Sequence, residues 1–151
     1  MRALEALANR IKAITVLEVL KHLSETKEFT DLIIELNTRK QLFEKGVDST
    51  GRNLEDIGGF YSFETVNIKR AKGQPTDRVT LNDTGDFYNS FRVFFNNSGF
   101  VITADTIKDT DNLIERWGAD ILGLTDESLS LLREKGKQII IPYVRKKILT
   151  R

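Results

Sequence analysis

The sequence predicts an α+β domain: a small antiparallel β-sheet flanked by long N-terminal and C-terminal α-helices, with a long turn-rich loop between. Three patterns carry that expectation. Apolar residues recur at steps of three and four through the first 45 residues and again after residue 125, the spacing of amphipathic helices. Glycine, proline and short polar residues crowd residues 46–82, which reads as loop. Around residues 92–103, β-branched and aromatic runs flank an Asn/Gly tetrapeptide, a hairpin signature. At 151 residues and 17.2 kDa, one domain with one core is expected. Its folded surface should be about 7,800 Å². The parts are a helical hairpin at 1–45, the loop at 46–82, a short helix plus β-hairpin at 83–124 and a terminal helix at 125–150.

The elements follow in order. Leu4, Leu7, Ile11, Ile14, Leu17, Leu20 and Leu23 form one stripe, so residues 3–23 read as a single helix with His22 near its end. A break at 24–28 leads to a second helix, 29–45, built on Phe29, Leu32, Ile33, Leu36, Leu42 and Phe43 and stopped by Gly46. Residues 46–86 hold seven glycines or prolines, with Asp48-Ser49-Thr50-Gly51 as a local turn. Phe60, Tyr61 and Phe63 form an aromatic cluster within this run, suited to anchoring it to a core or a neighbour. A helical turn is expected at 63–70. A connection of this length is uncommon unless it is functional or orders on assembly, so residues 48–82 are expected to be loose in the monomer.

Asp83 or Thr84 should cap a short helix in which Phe87 and Phe91 share a face. Next come the hairpin strands, 92–95 and 100–103, and a helix at 110–116. Thr125 should cap the last helix, whose apolar set runs from Leu129 to Ile148. Pro142 should kink that helix, or end and restart it; a strand at 138–141 is the alternative.

Composition narrows the chemistry. With no cysteine there is no disulfide, thiolate nucleophile or Cys-bound zinc, and a single histidine excludes a His₂ or His₃ metal site within the chain. No cofactor is expected. Neither a signal peptide nor a membrane span fits the charged N-terminus and short apolar runs. Asp77, Asp83 and Asp86 suit turns and caps better than acid–base work, and Asp105, Asp109 and Asp111 lack the spacing of a calcium loop. Lys69, Arg70, Lys72 and Arg78 make a basic loop able to meet phosphates or protein neighbours. The 23 basic and 22 acidic residues balance only in sum. Residues 101–127 carry seven acids and two bases, whereas 133–151 carry seven bases and one acid. Such asymmetry suits head-to-tail packing of subunits, the acidic region of one facing the basic helix of another through Arg145, Lys146 and Lys147.

Several short motifs occur in a shared order. They are Phe43 to Gly51, with Gly46, Asp48 and Gly51 as landmarks; Ser62, Thr65 and Lys69; Leu81 to Phe91, with Thr84, Gly85, Phe87 and Ser90; Trp117-Gly118; and Leu122-Gly123-Leu124. In this order the sequence resembles the tail-completion, or virion morphogenesis, proteins of tailed bacteriophages, particularly versions from phages of Bacteroidetes hosts, including crAss-like phages. The likeness covers residues 29–149; where the family often has histidine before the aromatic-Gly pair, this chain has Arg116.

The resemblance implies a structural virion protein of the neck or proximal tail rather than an enzyme. It implies a ring of six or twelve copies, joining the connector or head-completion layer to the tail tube. Genomic DNA would pass through without specific binding, no membrane would be involved, and assembly would occur in the host cytoplasm. Phe60, Tyr61, Phe63, Lys69, Arg70, Lys72, Arg145, Lys146 and Lys147 are the candidate subunit contacts. The competing expectation is a DNA-binding accessory protein that uses the basic terminal helix.

Overall fold

The computed structural model describes residues 2–150. It is a mixed α+β fold in which a small antiparallel sheet is flanked by long helices from both ends of the chain. The first stretch differs from its expectation: in place of one helix there are two, α1 (Arg2–Lys12) and α2 (Val16–Glu25). Thr15 divides them. Its hydroxyl accepts the Glu18 amide at 3.2 Å, while the Glu18 carboxylate accepts the Thr15 amide at 3.1 Å. This reciprocal cap starts a helix as firmly as it ends the previous one. α1 buries none of its residues.

Thr26 both ends α2 and precedes α3 (Lys27–Glu35), which runs without a break into a π-helix, Leu36–Lys45. Gly46 closes it in the left-handed region at φ +64°, as its position suggested. Ile33, Leu36 and Leu42 on this rod are almost wholly buried. Widening to the π spacing also buries Asn37, Thr38 and Gln41, three polar side chains at the heart of the molecule.

Residues 46–82 are no loose loop. Val47 pairs with Asn53 in an isolated bridge, α4 (Leu54–Gly58) follows, and α5 (Phe63–Ala71) begins on a Ser62 cap, close to the expected turn. Leu54, Val79 and Thr80 are at most 1% exposed. Because the segment supplies core residues, the expectation that it stays open until assembly is corrected: burying these side chains and the Asp48 carboxylate holds it in the monomer.

The short helix α6 (Asp86–Asn89) is not capped by Asp83 or Thr84. Gly85, at φ +93°, takes the cap position, and Thr84 instead donates its hydroxyl to Asp86 at 2.6 Å. Phe87 and Phe91 do meet, edge to face, at 5.1 Å. The hairpin is as expected: β1 (Arg92–Asn96) and β2 (Gly99–Thr103) pair from Arg92↔Thr103 to Asn96↔Gly99 around a two-residue turn. Ile102 is buried, and the Phe95 ring lies tilted against Phe100 at 6.0 Å and Phe29 of α3 at 6.4 Å. The opposite face, with Phe94 opposite Val101, is open to solvent.

A second, tiny hairpin, β3 (Ile107–Lys108) with β4 (Asp111–Asn112), precedes α7 (Leu113–Trp117), so the expected helix at 110–116 starts three residues late. α7 lies against α4. Arg116 Nε donates to the Gly58 carbonyl at 2.8 Å, and the buried Trp117 ring fills the space over Gly58. A Cβ on Gly58 would lie 2.3 Å from Trp117 Nε1, which already has no hydrogen-bond partner among the described residues. Gly58→Ala should therefore cost about 2 kcal/mol by overpacking. Urea denaturation of the variant checks this, and a loss below about 0.5 kcal/mol would mean that the ring has room to move.

A 3₁₀ turn, Ala119–Ile121, leads to α8 (Asp126–Leu149), capped as expected by Thr125, whose hydroxyl accepts the Ser128 amide at 3.2 Å. α8 is continuous through Gly136 and Pro142, which excludes the alternative strand at 138–141. The Phe29 ring packs against α8 at Gly136.

Candidate functional site

A groove of about 660 Å³ lies between α5, residues 81–87 and the β3–β4 corner. Its floor is built around Thr80. The Thr80 amide donates to the Tyr61 hydroxyl at 2.8 Å, and the Tyr88 hydroxyl donates to the Thr80 carbonyl. Burial, with the neighbouring Tyr61, pushes the Tyr88 phenol far above its ordinary range despite Arg78, so it stays a neutral donor. Leu81 then adopts φ +56°, a conformation that costs a branched residue energy and persists because its flanks are held. On the far flank Lys69, 5% exposed, donates to the Asn82 carbonyl at 2.6 Å and to Gln74 Oε1 at 3.1 Å, with its ammonium 4.7 Å from the Tyr61 ring centre.

One wall is an ion cluster. Asp83 accepts from Lys108 at 2.5 Å and from Lys72 at 2.8 Å, and these two bonds, Lys108 first, pull its carboxyl down to about 2. The rim is apolar and acidic. Phe60, Ile68 and Ile107 are 46%, 48% and 65% exposed. Asp86, Asp105, Asp109 and Asp111 line the same groove and make no ion pair among the described residues.

The candidate contacts therefore separate. Tyr61 and Lys69 line the groove and make their hydrogen bonds inside the chain. Phe60 stands on the rim, Phe63 is 82% exposed beside it, and Arg70 is exposed on α5. Lys72 is paired with Asp83, and Arg78 with Asp77 and the Phe43 carbonyl, so two of the loop's four bases meet acids within the chain. At the other pole Lys147 pairs with Glu18 and lies over Tyr143, which stacks on His22 at 4.0 Å. Lys135 pairs with Glu28. These pairs engage two of the helix's bases within the chain. Arg145 and Lys146 are exposed and lack an ion pair among the described residues.

The motif residues hold local architecture. Gly46 sits where a Cβ would lie 2.8 Å from the Val79 carbonyl, and Asp48 organises the turn that ends near Gly51. Ser90 accepts the Asp105 amide at 2.9 Å and donates to the Phe87 carbonyl at 2.6 Å. Trp117 is buried, Gly118 turns the chain at φ +84°, and a Cβ on Gly123 would press on Ser49, 2.9 Å away. Leu122 and Leu124, half-buried, pack beside it against the core. Thr80, Tyr88, Gln74 and the Asp83 bridge were not singled out from sequence; the only local signal was the Thr80–Tyr88 run of polar and aromatic residues ahead of the hairpin.

Among the described residues no three His, Cys, Asp or Glu side chains converge on a metal position, and no helix is long and apolar enough to cross a membrane. Compared with known proteins, the chain matches no family, no curated protein and no solved structure.

Proposed function

We propose that this chain is a structural subunit of the neck or proximal tail of a tailed bacteriophage, assembling into a ring that joins the connector or head-completion layer to the tail tube. It would work by docking. One observation supports this most. The accessible surface is 9893 Å², about 2,000 Å² more than a compact monomer of this mass exposes. A ring subunit that buries about 800 Å² at each of two faces would cover most of that excess.

The apolar side chains left in solvent fall on separate surfaces, as a subunit with several neighbours requires. Leu4, Leu7 and Ile11 share one face of α1 and are exposed, with Val16 and Leu17 beyond it. Phe94 and Val101 form the open face of the hairpin, Phe60, Ile68 and Ile107 line the groove, and Phe63 is exposed at the start of α5. The order of the phage-like motifs supports the same reading.

The test is the molar mass of the purified chain by light scattering, with peptide counting on purified virions. A closed oligomer, present in virions in several copies, is expected. A monomer that binds duplex DNA with affinity falling steeply in salt would replace this reading with the DNA-binding one.

A further inference from the structure

We propose that the head-to-tail contact of this ring is the distal end of α8 from one copy seated in the acidic-rimmed groove of the next. The inference rests on the ring reading and names its interface. On the distal third of α8, Ile141, Arg145 and Leu149 fall at i, i+4 and i+8, so they share one face, with Lys146 beside it. Ile141 is 47% and Leu149 75% exposed, and neither basic residue has an acidic partner among the described residues. The face therefore offers two apolar anchors flanking a pair of free cations.

The groove offers the converse: Phe60, Ile68 and Ile107 as apolar surface, with Asp105, Asp109 and Asp111 around them, unpaired among the described residues. An amphipathic helix laid into an apolar groove of opposite charge is a recurrent mode of recognition, and the charges set register and partner choice.

The two surfaces do not meet within one chain. No α8 residue lines the groove, and the distal end of α8 is tied elsewhere: Lys147 to Glu18, the Ile148 carbonyl to Arg10 at 2.9 Å, and Tyr143 to His22. A contact between two different patches is heterologous, and repeating it generates a ring when the rotation closes.

The experiment compares full-length variants by sedimentation and light scattering over a range of salt. One variant joins Arg145→Glu with Lys146→Glu, a second joins Asp109→Asn with Asp111→Lys, and a third carries all four changes. All positions are exposed, and Asn at 109 tolerates the left-handed backbone there (φ +52°). Unchanged thermal melting confirms that the variants fold. Each pair of changes is expected to weaken self-association at least about tenfold, and the fourfold variant to recover it. A wild-type assembly that both pairs leave intact would overturn this interface while the ring reading stands. A wild-type chain that stays monomeric at all concentrations would overturn both.

Discussion

Replacing Asn37 or Gln41 with leucine is expected to destabilise the chain by about 2–4 kcal/mol each, and the double variant should lose most of its cooperative unfolding transition. The two side chains come from the π-helix and face the irregular segment 121–125 that follows the 3₁₀ turn. Asn37 Nδ2 donates to the Ile121 carbonyl at 3.0 Å, and Asn37 Oδ1 accepts the Gly123 amide at 2.9 Å. Gln41 Nε2 donates to the Gly123 carbonyl at 2.8 Å, and its Oε1 accepts the Thr125 amide at 2.8 Å. Two primary amides thus imitate the edge of a neighbouring β-strand and satisfy four main-chain groups.

Leucine matches their bulk and is more apolar, but it leaves those main-chain groups in the interior without partners, and that desolvation penalty outweighs the gain in transfer energy. Urea titration followed by Trp117 fluorescence measures the loss. A cost below about 1 kcal/mol for either single variant would show that segment 121–125 has another way to satisfy its backbone.

Asp48→Ala is the second large effect, expected at about 3–5 kcal/mol at neutral pH. The carboxylate is fully buried, at 0% side-chain exposure. One oxygen accepts the Thr50 amide at 2.9 Å, the Thr50 hydroxyl at 2.6 Å and the Arg52 amide at 3.0 Å. The other accepts Arg52 Nε at 3.2 Å and Nη2 at 3.1 Å. Burial by itself would raise the acid's pKa. The hydroxyl, the two amides and the guanidinium more than reverse that, so Asp48 lies below the ordinary aspartate value.

The sign of the linkage follows. A carboxyl whose folded pKa is below its unfolded value of about 3.9 contributes its full stabilisation above that value and loses it as pH falls through the folded one. Wild-type stability should fall in that acid window, and Asp48→Ala should flatten the fall. Because the Arg52 side chain is 59% exposed, Arg52→Ala should cost far less than Asp48→Ala. Equal costs would shift the weight from the hydroxyl and amides to the ion pair.

What could be read in the sequence was what local chemistry decides. The hairpin at 92–103, the Thr125 cap, the helical turn after residue 62 and the stop at Gly46 depend on residues adjacent in the chain, and each is found where its pattern lies. The division of the first helix was also written locally, as Thr15-x-x-Glu18, but apolar spacing continues across it and hides the cap. The β3–β4 turn is too short and too acidic to show an alternating pattern.

Asn37, Gln41, Asp48 and Lys69 were illegible as interior residues for another reason. Polar groups are buried only when distant partners meet them, and those partners lie in the fold rather than in the local string. Segment 46–82 reads as loose because its glycines and polar residues look like loop. Its few apolar residues, Leu54 and Val79 above all, are placed by contacts that no window of sequence contains. The groove was half legible: its aromatics and acids were noted, but not their convergence.

The amide ladder from the π-helix has a further consequence, for the order in which the chain can be made. Its bonds join residues 82 to 86 positions apart. Closing a loop of that size forfeits about 4 kcal/mol of chain entropy before any bond rewards it. A nascent chain emerging from the ribosome would carry Asn37 and Gln41 with nothing to read until residue 125 has been synthesised. The interior of the first third therefore waits on segment 121–125, and residues 37 and 41 stay unpaired however early they emerge.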